Sequence, residues 1–196
     1  MTAFNLALAL LLGVGLSAST GLNTFLPLLL LSGAARFHIA GITLNQSFAW
    51  LGSDVAIVVL IIASVVEILG DKIPTVDHFL DVIGTFIRPI AGATAAASVL
   101  THADPVVAAI AGLIIGSPIS FGLHSLKAGA RVVSTTTTFG CANPLISLVE
   151  DVVSVIVSIV AIFAPILVPL LLLAVVFVLW RLKRRFSAAP PAGSTP

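Results

Sequence analysis

Four carboxylates, Glu67, Asp71, Asp77 and Asp81, fall within fifteen residues, directly behind an apolar run from Val55 to Val66. Asp77 and Asp81 are four apart, so a helix opening at Pro74 sets both on one face, with His78 about 100° away. Glu67 and Asp71 repeat that spacing at the end of the apolar run, and Lys72 and Arg88 are the natural counter-ions. An ionisable group at membrane depth costs about 2.5–3.5 kcal/mol on insertion scales, so such groups persist where they pair, line water or handle a substrate. One reading is a cation or proton site, or an acidic gate. The other is a loop whose charges cap helices and pair with Lys72 and Arg88.

A second group is basic. His124, Lys127 and Arg131 are spaced three and four apart and share one helical face. That face suits a phosphate or carboxylate, and equally the acids of the other half of the chain. Its bland alternative is a pair of cations snorkelling at a helix end. Further along stand Asn143 and the adjacent pair Glu150 and Asp151.

Two segments read as broken helices. Gly21, Asn23 and Pro27 interrupt the first apolar stretch; Thr135–Thr138, Gly140, Asn143 and Pro144 interrupt a later one. Proline removes a backbone donor, and helix ends exposed at mid-depth are how many transporters hold ions and anions. Small and hydroxylated residues at such places also serve close helix packing. His38, His102 and Asp104 read as loop residues at the interface.

The elements that must carry these groups are membrane helices. The chain of 196 residues is 59% hydrophobic and 9% charged, against about 25% charged in a soluble domain. No basic stripe with interleaved aromatics speaks for nucleic acid. Cys141 is the single cysteine, which excludes a disulfide framework and a thiolate metal cage. No His-Glu-x-x-His or Gly-x-Ser-x-Gly motif appears, so neither an enzyme nor a cofactor is expected. Leu6–Leu16 resembles the core of a signal peptide. No Lys or Arg precedes Arg36, so the segment is expected to remain as a first membrane helix.

Charge-poor windows predict an all-α, polytopic bundle of about six spans: Phe4–Leu31, Trp50–Leu69, Ile83–Leu100, Pro105–Leu123, a polar Val132–Val149 that either spans or is re-entrant, and Val152–Trp180. The last is either one tilted span or a hairpin broken at Pro165 and Pro169. Residues 1–186 form one integral membrane domain, and 187–196 a disordered tail. With six crossings, eight of the nine basic residues, among them Arg181, Lys183, Arg184 and Arg185, face one side and Arg36 the other. Five crossings would divide them five against four. The positive-inside rule thus predicts a multi-pass plasma-membrane protein, in the inner membrane, with both termini cytoplasmic. A three-plus-three arrangement would run the first and fourth spans in opposite directions, as in an inverted repeat.

At these residues the chain resembles the bacterial integral-membrane proteins of the domain of unknown function 4126 family. The resemblance is carried by Ser19-Thr20-Gly21-Leu22-Asn23-Thr24-Phe25-Leu26-Pro27; by Glu67, Asp71-Lys72-Ile73-Pro74-Thr75-Val76-Asp77 and Asp81 with Thr85–Ala93; and by His124, Lys127–Arg131, Asn143, Leu148 and Glu150-Asp151. The family's Ser-Pro-Glu-Pro-like segment is replaced here by Thr136-Thr137-Thr138-Phe139. The resemblance implies architecture and brings no activity. The expected function is transport of a small ion or anionic solute through a central polar path; the alternative is a non-transporting scaffold of the cell envelope. Charges meeting around water would mark the first, charges paired in a dry interface the second. Oligomeric state is not legible.

Overall fold

The structure is a computed structural model. It describes residues 3–139 and 141–187, with the side chains at 3, 74, 75, 77, 78, 137, 179, 182, 183 and 185–187 outside the description. Among these residues there are eight α-helices and no strand.

Helix α1 (Ala3–Leu22) is uninterrupted by proline and carries no charge, so it runs through the centre of the bundle, packed on every neighbour except α3 and α5. It stops because Asn23 turns its side chain on the next helix: Asn23 Oδ1 accepts from the amides of Phe25 and Leu26, and Pro27 occupies the first turn of α2 (Leu26–Arg36). The chain then doubles back. The start of α2 is held by Glu67, near the end of α3 (Asp54–Gly70), and its end by Asp54 at the start of α3, through Arg36 Nε to Asp54 Oδ1 at 2.8 Å. Helix α2 is therefore antiparallel to both α1 and α3. Short 3-10 turns, Ile39–Gly41 and Gln46–Gly52, lead into α3, whose first turn is capped by the Ser53 hydroxyl.

Helix α4 (Pro74–Ser98) returns along α1 with Pro89 inside it. The carbonyls beside that proline accept hydroxyls from the facing helix, Ser120 Oγ to Arg88 O at 2.7 Å and Ser117 Oγ to Pro89 O at 2.9 Å. Next come α5 (Pro105–Ala111), a π turn at Gly112–Gly116 and α6 (Ser117–Thr138), one continuous rod of about 50 Å at 1.5 Å per residue. The rod and α4 touch backbone to backbone: a Cβ on Gly116 would collide with the Gly92 carbonyl, and one on Gly92 would lie 2.5 Å from Ser120 Cβ. Small residues at a membrane-helix contact allow this approach. Helix α7 (Asn143–Phe163) comes back beside α1, and after a 3-10 turn at Pro165–Leu167, α8 (Val168–Ser187) closes the chain.

Four helical segments are long and apolar enough to cross a membrane, 4–22, 79–98, 105–136 and 143–163, and a fifth if 46–52 and 54–70, bent by 65°, count together. Several expected boundaries are corrected. Phe4–Leu31 is two helices of opposite direction. Trp50–Leu69 is bent at Ser53. Val132–Val149 is not a span: it is the end of the rod, a turn at Phe139, and the start of α7. The polar run does not break the rod, because Thr136 and Thr138 return their hydroxyls to the carbonyls of Val133 and Ser134. Val152–Trp180 is the hairpin, broken at Pro165, and the expected tail beyond Ser187 lies outside the described residues.

The extra reversal at α2 also changes parity. Ser17 lies against Gly116, Thr20 bonds Ser120 and Leu22 bonds Lys127, so α1 and α6 run the same way, where an inverted repeat of first and fourth spans requires opposite directions. Val168 packs at Gly15, while Val175 and Val178 line a groove with Leu22 and Glu150. The start of α1 and the end of α8 therefore lie at opposite ends of the bundle. Along its axis the bundle has two interiors: an apolar core of Leu12, Leu16, Leu31, Leu51, Leu60 and Val168, and a charged one beside the ends of α1 and α3.

Candidate functional site

The charged interior is assembled from six helices at the break between α1 and α2. Lys127 and Arg131 lie on one face of α6, about 16 and 10 Å short of its end. Asp71 closes α3, Asp81 lies in the first half of α4 and Arg88 just past its middle, and Glu150 and Asp151 lie in the third turn of α7. All except Asp81 are buried, with Lys127 at 0% and Arg88 at 1% exposure.

The helix break is wired at both ends. Glu67 accepts from Thr24 N at 2.9 Å, Thr24 Oγ1 at 2.7 Å and Phe25 N at 3.2 Å, a carboxylate seated on the positive end of α2. The carbonyls freed at the negative end of α1 receive cations: Arg88 Nη1 donates to Gly21 O at 3.3 Å and Lys127 Nζ to Leu22 O at 2.9 Å. Arg88 then bridges to Glu67 at 3.3 Å, so the two halves of the break are joined through one ion pair.

Beside it, Arg131 reaches Glu150 at 2.7 Å, Asp71 at 3.2 Å and Asp81 at 3.4 Å, and Lys127 reaches Glu150 at 3.2 Å and Asp71 at 3.4 Å. The expected pairing of Lys127 and Arg131 with the acidic stretch is present for Asp71 and Asp81; Glu67 takes Arg88 instead. Burial by itself would raise the Asp71 carboxyl, but the charges of Lys127, Arg131 and Arg88 outweigh it and hold Asp71 below the usual carboxylate range. Asp81 has a second, longer contact to Arg88 at 3.9 Å.

His124 completes the α6 face. Arg88 Nη1 lies 2.8 Å from His124 Nδ1, and a guanidinium can only donate, so Nδ1 is the bare nitrogen. Its Nε2–H then faces Thr85 Oγ1 at 3.2 Å, whose own proton goes to Asp81 O. Assigned from these donors, His124 is neutral.

Asp151 stands apart. Its Oδ1 accepts from Asn23 Nδ2 at 2.9 Å, Oδ2 has no hydrogen-bond partner, and the ion-pair contact is Lys72 at 3.9 Å. Lys72 is half-exposed and donates to Ile68 O at 2.8 Å. Among the described side chains the centre thus holds five carboxylates (Glu67, Asp71, Asp81, Glu150, Asp151) against four cations (Lys72, Arg88, Lys127, Arg131).

Other expected residues fall elsewhere. Asn143 binds Thr135 Oγ1 at 3.0 Å at the α6–α7 turn, and Pro144 only opens α7. Gly140 and the Asp77 side chain lie outside the described residues; the backbone of Asp77 is in the first turns of α4. Gly21 packs against Ser120 and His124, and Pro27 is fully buried. Thr24 and Thr85 entered the sequence analysis only through the family resemblance, and neither they nor Ser120, nor the buried hydroxyls of Ser17 and Thr20 that tie α1 to α4 and α6, stood among the candidate site residues. The helical spacing of Ser17, Thr20 and Thr24 was the available signal. No group of three or more His, Cys, Asp or Glu among the described residues is disposed to hold a metal ion.

A family model described as domain of unknown function 4126 matches residues 10–185. The chain belongs to that family. The matched region takes in every charged residue of the centre, and the domain of unknown function 4126 supplies no activity to attach to it. Comparison with curated proteins and with solved structures gives no match.

Proposed function

We propose that this member of the domain of unknown function 4126 family is a membrane transport protein that passes a small ion or solute through its charged interior, with no covalent chemistry. The observation that carries the proposal is the buried charge at a broken helix: among the described side chains, five carboxylates and four cations surround the ends of α1 and α2. Replacing buried ion pairs by apolar residues is often neutral or stabilising, so stability gives little reason to keep nine charges inside. The end of the bundle bearing the charged interior and the last turns of α8 holds eight of nine basic residues and is assigned to the cytoplasm. With α2 doubling back, the C-terminus is then inside and the N-terminus outside, in place of two cytoplasmic termini. A fluorophore active only in the cytoplasm should be bright at the C-terminus, and a phosphatase active only outside should work at the N-terminus.

A second reading, a membrane scaffold of the envelope, is favoured by the dryness of the pairs: Lys127 and Arg88 are packed against their acids, and the grooves of about 440 and 210 Å³ beside them are apolar. Purified protein in liposomes separates the two. Transport predicts a cation- or pH-gradient-dependent flux that Asp81→Asn abolishes at unchanged folded yield. Empty traces from folded parent protein under every gradient would hand the molecule to the scaffold reading.

A further inference from the structure

We propose that Asp151 is a proton-binding site, and that its Oδ2 carries the proton in the resting protein. This deepens the transport proposal, on which it rests for its purpose, by naming the ion. The first observation is distance: among the described side chains, the ion-pair contact of Asp151 is Lys72 at 3.9 Å. The second is local. Each other acid of the centre has a cation within 3.4 Å, and Glu67 has three further donors. Asp151 is more than nine-tenths buried and, like Asp71 and Asp81, keeps one oxygen without a hydrogen-bond partner; unlike them it has no cation closer than 3.9 Å among the described side chains.

Among the described side chains, those of Asp77, His78, Lys183 and Arg185 lying outside the description, the groups that face it decide between a proton and a cation. From the α3–α4 turn come Asp71, which opposes a negative charge on Asp151, and Lys72, which favours one from 3.9 Å; from α6 comes Lys127, already held by Asp71 and Glu150. Glu150 precedes it on α7. Helix α1 carries no charge, Arg36 of α2 is tied to Asp54 at the far end, and Arg181 and Arg184 of α8 are exposed beyond the turns that pack here. Lys72 is half-solvated, so its screened charge is weak support for a buried carboxylate. A buried acid without a close partner is commonly neutral.

The placement gives the proton leverage. Asn23 Nδ2 donates to Asp151 while Asn23 Oδ1 caps α2, so the amide cannot turn over without uncapping the helix. Gain or loss of the proton therefore acts on the residue that separates α1 from α2. Protonation adds one proton to one carboxylate oxygen and breaks no other bond.

The test is pH-difference infrared spectroscopy on the full chain reconstituted in lipid, beside the flux assay. The expected result is the carbonyl stretch of a protonated carboxylic acid at neutral pH, lost in Asp151→Asn and kept in Asp81→Asn. Absence of the band in the parent, or its survival in Asp151→Asn, overturns the assignment. Asp151→Asn mimics the neutral acid and should fold with the parent's thermal midpoint at neutral pH. Should it not fold, Asp151→Glu, which keeps the carboxyl and lengthens its arm, must shift the band; an unshifted band overturns the site as surely. The two proposals fail separately: a band that obeys these rules without flux removes transport and leaves the proton site, while flux without the band does the reverse.

Discussion

The two breaks that look alike in the sequence behave oppositely in the fold. At Asn23–Phe25 the freed carbonyls and amides are buried, and each end of the break is met by a charge of the opposite sign: Arg88 and Lys127 on α1, Glu67 on α2. At the α6–α7 turn Phe139 sits in a left-handed conformation, φ 54°, and is 93% exposed; Cys141 beside it is exposed too. A helix break becomes a site only where its unsatisfied ends are kept from water, because there nothing but protein charge can satisfy them. The second break is a corner between two helices.

The largest effect expected from this contrast is at Glu67. Glu67→Ala leaves Arg88 buried without its closest acid and strips the carboxylate acceptor from the backbone amides of Thr24 and Phe25 ahead of α2. Breaking a buried pair by removing one partner costs about 3–5 kcal/mol. Folded yield of Glu67→Ala in detergent should collapse, and a Glu67→Gln protein, which keeps an acceptor oxygen, should recover part of it. A Glu67→Ala protein as stable as the parent would make the first break no different from the second.

The next effect separates a network from a set of independent contacts. Lys127→Ala should lower the thermal midpoint, and Asp71→Ala in the same chain should restore part of the loss, since the two lie 3.4 Å apart within one buried cluster. Simple additivity would dissolve the cluster into separate pairs. Asp71 also fixes the direction of the acid response. Its carboxyl is held below the usual range, so its contribution is full above the ordinary carboxylate value of about 3.9 and is lost as pH falls through the lower folded value. Asp71→Asn should remove that part of the acid destabilisation, visible as a flatter midpoint against pH at the acid end.

How much of this was legible can be traced residue by residue. The face of His124, Lys127 and Arg131 followed from spacing, and its partners from a shared membrane end, because both are local or one-dimensional properties. The reversal at α2 was hidden: Leu26–Leu31 is as apolar as any span, and its direction is set by the Asn23 cap and by Glu67, 43 positions away from Thr24 in the chain. The continuity of the rod was hidden too, since Ser134–Thr138 reads as too polar for a helix unless its hydroxyls turn back on the helix itself. The unequal support of Glu150 and Asp151, adjacent in sequence, depends on which cation each meets in space, and no spacing rule carries that.

The smallest effect lies at the second break and sharpens the contrast from its other side. Phe139 holds a backbone conformation that costs an L-residue roughly 1–2 kcal/mol and that glycine adopts freely. Its ring is exposed and has little packing to lose. Glycine also enlarges the conformational entropy of the unfolded chain, which returns about 0.4–1 kcal/mol of that gain. Phe139→Gly should therefore leave the thermal midpoint unchanged or raise it by a degree or two, with flux and infrared band as in the parent. The measurement is a melting curve beside Glu67→Ala in the same lipid and detergent. A large loss of stability in Phe139→Gly would mean that the α6–α7 turn is held by contacts of its own, and that the two breaks share a role after all.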